Sequence, residues 1–133
     1  MITELKKYEN AGSFIYKPQD RLAQICNAPN DKAGIYLVYT IQGKERTLVY
    51  IGRSGKTERN GTLFIRKGGI KDRLVNGKRD GELRRNFWLR EMINGALDAL
   101  EIQWFATHDQ NYIDCPAIIE DQLIKKYKPL WNR

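Results

Sequence analysis

The chain is poor in the residues that make cross-links and metal knots. Its 133 residues include two cysteines, Cys26 and Cys115, and one histidine, His108. Two cysteines outside any Cys-x-x-Cys pair build neither a disulfide framework nor a zinc site. No apolar run approaches the roughly 20 residues that a membrane span requires. The opening MITELKKYENAG lacks the apolar core of a secretory signal. These absences exclude a stapled secreted scaffold and a membrane partner, and the expected setting is a reducing cytoplasm. Internal repeats, low-complexity tracts and long linkers are missing too, so the length fits one domain with a modest core.

What the chain does have is positive charge. A hydrophobic share of 41% and a charged share of 29% suit a globular protein rather than a disordered one. Twenty-three Lys and Arg stand against sixteen Asp and Glu, a formal net charge of +7. A small basic domain attracts polyanions by counterion release without reading their sequence. Solubility alone would account for some of this charge, but nucleic acid is the expected partner.

Apolar and β-branched residues predict strands over 34–42 and 46–53, joined by the turn-like Gln42-Gly43-Lys44-Glu45. A third strand is predicted over 100–107. Helices are predicted from Gln19 to Cys26, over 70–76, over 81–99 and over 115–127. The last has Asp114 as N-cap and Pro116 in its first turn. Residues 54–69, full of Gly, Lys, Thr and Asn, read as a loop. Residues 1–32 form an N-terminal extension packed on the main unit, 33–133. The sum is an α+β fold, with a small three-stranded antiparallel sheet flanked by helices.

Two groups of residues carry chemistry. On the last helix, Glu120 shares a stripe with Ala117, Leu123, Ile124 and Tyr127, while Asp121, Gln122, Lys125 and Lys126 face outward. A carboxylate on an apolar stripe is costly unless it is paired or holds a cation. On the hairpin, Tyr36 and Tyr50 share a face only if the loop holds an odd number of residues. Pairing Ile41 with Glu45 around a three-residue loop would achieve this, whereas a two-residue loop would send them to opposite faces. Between these groups, segment 66–90 concentrates Arg66, Lys67, Lys71, Lys78, Arg79, Arg84 and Arg85, expected to track phosphates. Gly52-Arg53-Ser54-Gly55-Lys56-Thr57 superficially suggests a phosphate-binding P-loop, but Tyr50 stands where that motif needs glycine.

The tripeptides Gly34-Ile35-Tyr36 and Tyr50-Ile51-Gly52, the segment Gly69-Ile70-Lys71-Asp72-Arg73-Leu74, and Ala117-x-x-Glu120 with Tyr127-x-Pro129 and Asn132 follow one another along the chain. In that order they resemble the GIY-YIG nuclease family over about residues 33–132. The resemblance implies a metal-dependent endonuclease that hydrolyses phosphodiester bonds in DNA, with RNA left open as a substrate. It implies that Glu120 holds one Mg²⁺ or Mn²⁺, that Tyr36 activates water, and that Tyr50 assists. Arg73 and Arg53 would stabilise growing charge on the phosphate, with Arg66 as the rival to Arg73. Asn132 would brace the site. The family's hairpin is shorter, its arginine lies nearer the second tyrosine, and a histidine often follows that arginine where this chain has Gly77. A monomer or weak homodimer is expected, as is residence of any substrate preference in 1–32, 54–69 and 81–99. The alternative is a catalytically inactive nucleic-acid-binding module on the same fold.

Overall fold

The computed structural model describes residues 2–58 and 60–132. Residues 1, 59 and 133, which bound or fall within the expected extension, loop and main unit, lie outside the described residues. In chain order the elements are β1 (Ala11–Tyr16), α1 (Leu22–Ile25), β2 (Gly34–Gln42), β3 (Glu45–Ser54), β4 (Lys56–Thr57), β5 (Leu63–Phe64) and α2 (Gly69–Asn76). They continue with β6 (Lys78–Arg79), β7 (Glu82–Leu83), α3 (Arg84–Asn94), β8 (Ala99–Ala106) and α4 (Pro116–Tyr127), with short 3₁₀ turns at Thr3–Leu5 and Leu130–Asn132.

The α+β class stands, but the sheet has four strands rather than three, in the order β1-β8-β2-β3, each pair antiparallel. The extra strand comes from the N-terminal segment, whose Ala11–Tyr16 pairs with Phe105–Leu100 of β8. The expected loop 54–69 contains a small hairpin, β4–β5, and the expected helix over 81–99 is shortened to Arg84–Asn94, with β7 ahead of it. Gly95 and the left-handed Ala96 end it. Cys115, not Asp114, is the N-cap of α4. The Asp114 carboxylate instead accepts a hydrogen bond from the Tyr8 hydroxyl at 2.5 Å and pairs with Lys7 at 2.9 Å.

Alternation along the strands sorts side chains into two cores. On one face Tyr36, Val38, Tyr50, Leu100, Ile102 and Trp104 meet Leu22 of α1, Ile70 and Leu74 of α2, and Trp88 and Met92 of α3. On the other, Ile35, Leu37, Tyr39, Ile51 and Phe105 meet Leu5, Tyr8 and Leu123 of α4. Strand β3 forms one edge of the sheet. There the Asn132 Nδ2 donates to the Ile51 carbonyl and its Oδ1 accepts from the Ile51 N–H, both at 2.8 Å, so one side chain satisfies backbone groups an edge strand would leave open.

The hairpin reaches the expected facing of its tyrosines by another route. Gln42 pairs with Glu45 around a two-residue turn, Gly43-Lys44, not the three-residue loop. That turn alone would put Tyr36 and Tyr50 on opposite faces. A bulge corrects it: Tyr39 pairs with Leu48 but Val38 with Tyr50, leaving Val49 as the extra residue.

Candidate functional site

At the end of β3 the chain passes a cleft of about 320 Å³ lined by Arg53, Ser54, Gly55, Lys56, Phe64, Arg66, Arg73 and Glu120. Three of its charged groups come from separate, well-spaced elements. Arg53 comes from the edge strand, Arg73 from α2 on the tyrosine face, and Glu120 from α4 on the opposite face. The cleft therefore lies where both helical layers reach round the sheet edge. Among the described residues its lining holds four cations and one carboxylate.

The stripe expected on α4 is present except at its C-terminal end, where Tyr127 is exposed. Leu123 is buried and Glu120 half-buried, while Asp121, Gln122, Lys125 and Lys126 are exposed. Arg53 Nε lies 3.3 Å from Glu120 Oε1, and Arg53 Nη1 donates to the Gly55 carbonyl at 2.8 Å. Burial pushes the Glu120 carboxyl above its ordinary range, and the Arg53 guanidinium pulls it part of the way back.

The two candidate arginines differ in their engagement. Arg66 Nε binds Asp72 Oδ2 at 2.8 Å, and Asp72 is held in turn by the Asn76 amide at 2.9 Å. The Arg73 side chain makes no hydrogen bond or ion pair among the described residues, and its Nε is buried without an acceptor. Nearby, the buried Ser54 hydroxyl also lacks a partner.

Behind the cleft lies the tyrosine pair, with ring centroids 6.0 Å apart, and Trp88 stands 6.3 Å edge-on to each. Tyr36 is opposite Gly52, and its ring crosses that residue's bare Cα; a Cβ at position 52 would collide with the Tyr36 Cζ and hydroxyl. The Tyr36 hydroxyl is 0% exposed and has no partner. Burial drives its pKa upward, Tyr50 adds to the rise, and Arg73 and Arg84 oppose it. An ionised phenolate at neutral pH is therefore disfavoured here, because desolvation outweighs the cationic neighbours.

The basic residues of 66–90 do not form one continuous surface. Arg66 enters the cleft, whereas Lys67 and Lys78 are exposed outside its lining and Lys71 is half-buried. Arg79 donates to the Trp131 and Asn132 carbonyls at 3.2 and 3.5 Å. Arg85 donates to the Val75 carbonyl at 3.0 Å and lines a separate hollow with Tyr16 and Asp20. Arg84, expected at the surface, is only 6% exposed; its guanidinium stacks 4.7 Å from the Tyr50 ring and 4.5 Å from that of Phe87. Asn132 braces Ile51 rather than lining the cleft.

Gly55, Lys56, Phe64 and the orphaned Ser54 are the cleft residues that sequence reasoning missed. The residues 54–69 show no periodicity to mark which side chains converge. His108 is half-buried and its Nε2 accepts the Ala33 N–H at 3.0 Å, just ahead of β2. No helix among the described residues is long and apolar enough to cross a membrane. Comparison of the chain with family models, curated proteins and solved structures gave no match.

Proposed function

We propose that this protein is a metal-dependent endonuclease of the GIY-YIG type, acting on phosphodiester bonds in DNA. The observation that carries the reading is the convergence of Arg53, Arg73 and Glu120, from three separate elements, on one cleft beside the hairpin bearing both tripeptides. A cleft with four cations suits a phosphate, and an arginine without a partner suits charge that grows on non-bridging oxygens during displacement.

A divalent cation fits the donor set in a limited way. Among the described residues no group of three or more Asp, Glu, His or Cys stands ready for a metal. Glu120 would hold Mg²⁺ or Mn²⁺ together with phosphate oxygens and water, as hard cations with few protein ligands do. When bound, the cation supplies Lewis-acid polarisation of the phosphate. Because the surrounding cations repel a free metal ion, metal binding without nucleic acid is expected to be weak.

In this reading Arg73 and Arg53 bind and orient the phosphate, and Asp72 fixes Arg66 as a further phosphate contact. Tyr36 takes the proton of the attacking water, a role that burial resists and that the nearby arginines assist. Tyr50 and Trp88 hold its ring in place, and Asn132 holds the strand that carries Tyr50 and Gly52. A second reading, a nucleic-acid-binding module without cleavage, draws on the fully covered Tyr36 hydroxyl and on the pairing of Glu120 with Arg53.

Supercoiled-plasmid cleavage with Mg²⁺ or Mn²⁺ separates the two readings. Cutting that Glu120→Gln and Tyr36→Phe abolish while DNA binding persists supports the nuclease. Glu120→Gln should also tighten metal-free DNA binding, because it removes the one negative charge from the cleft. Tight binding with no cutting of plasmid, branched or single-stranded DNA would leave the binding module.

A further inference from the structure

The cleft contains one feature that phosphate binding does not use. Phe64 is the only aromatic in its lining among the described residues, and it is 48% exposed. An aromatic face open to solvent in a cation-lined cleft is placed to meet a ligand that brings both a phosphate and a π-face.

The ring is held in place by its hairpin. Phe64 pairs with Lys56 across β4–β5, so both side chains project from the same face. The Lys56 ammonium lies 5.6 Å from the Phe64 centroid. The turn is closed by the Glu58 N–H donating to the Thr62 carbonyl at 2.7 Å and by the Thr62 N–H donating to Asn60 Oδ1 at 3.0 Å. Its base is fixed at Gly55, whose φ of +90° and close approach to Ala33 and the Phe64 carbonyl exclude a side chain. Two residues beyond the ring, Arg66 is anchored to Asp72.

We propose that Phe64 is a stacking platform for a nucleobase that has left its helix, next to the phosphate held by Arg53 and Arg73. The proposal rests on the nucleic-acid reading above and names the substrate class for it. A phenyl ring offers no hydrogen bonds and reads only a π-face. In uniform duplex those faces are covered by neighbouring bases, so the ring is served by single strands, branch points, bulges or mismatches, where a base is already free or cheaply extruded. The preferred substrate is therefore nucleic acid with an unstacked base beside the cut.

The test is equilibrium binding in EDTA, with Glu120→Gln as background, to matched oligonucleotides: duplex, single strand, and duplex with one bulged 2-aminopurine. The background chain should prefer the single-stranded and bulged forms, and the 2-aminopurine fluorescence should be quenched on binding. Adding Phe64→Ala should reduce that preference roughly five- to hundredfold and restore fluorescence, and Phe64→Trp should retain both effects. Circular dichroism of each variant checks that the exposed site has not altered folding. Equal loss on all substrates, or no loss on any, would overturn the stacking role while leaving the nuclease reading intact. Absence of binding to every nucleic acid would overturn both.

Discussion

At the scale of single residues, the site combines groups whose environments oppose their resting chemistry. Glu120 has a pKa raised chiefly by burial, so folding makes it hold its proton more tightly than the unfolded chain does. The stability linked to it is fully present below the unfolded pKa and is lost as pH rises through the folded one. Glu120→Gln is accordingly expected to abolish cleavage without lowering the melting temperature at pH 7, a trade commonly met at active sites. In the proposed nuclease a metal would have to meet the ionised carboxylate, so cleavage should fall as pH drops toward that raised pKa. Tyr36, held above its ordinary range, should instead make the rate climb with pH on the alkaline side, a limb absent from Tyr36→Phe. His108 behaves in the opposite sense, because burial foremost, then Lys32, lowers its pKa from 6.5 against Asp109 and Asp31. Its neutral form accepts the Ala33 N–H, so this stabilisation is present above the unfolded pKa and lost as pH falls below it. Urea midpoints between pH 5 and 8 should show that slope, and His108→Gln should flatten it.

At the scale of elements, the edge strand depends on two small devices. Asn132→Ala leaves both Ile51 backbone groups without their partner, a loss of about 1–2 kcal/mol, visible as faster hydrogen exchange at the Ile51 amide. Gly52→Ala forces a methyl into the buried Tyr36 ring and should cost about 2 kcal/mol by overpacking, measured by urea denaturation. Much of this architecture was legible in sequence. The β2–β3 hairpin announced itself through β-branched and aromatic runs around Gly43, and α4 through the stripe of Ala117, Glu120, Leu123 and Ile124. The Val49 bulge was not legible, because a bulge follows from how the turn and the two cores are reconciled and not from local propensity. Strand β1 was hidden for a related reason. Phe14 and Tyr16 do alternate inward, but their partner β8 lies some ninety residues away, and such pairing leaves no local trace. The cleft was half visible: Glu120 and Arg73 sit on regular helices, whereas Lys56 and Phe64 converge through a hairpin only two residues deep.

At the scale of the whole molecule, the net charge of +7 and the four cations of the cleft should govern binding more than any single contact does. If the cleft cations neutralise the phosphates they face, log Kd against log salt on duplex DNA should have a slope of about 3–4. Arg73→Ala should lower that slope by about one. The cleft itself is made of two packing layers, since Arg73 belongs to the helices over one face of the sheet and Glu120 to the helix over the other. Neither layer alone brings the two side chains together. A chain with one layer assembled would retain much of its secondary structure and have no chemistry at all, so activity reports completion of folding more strictly than circular dichroism does. For a protein read as cutting DNA, that arrangement amounts to a safety interlock: the blade exists only once both halves of the handle have closed.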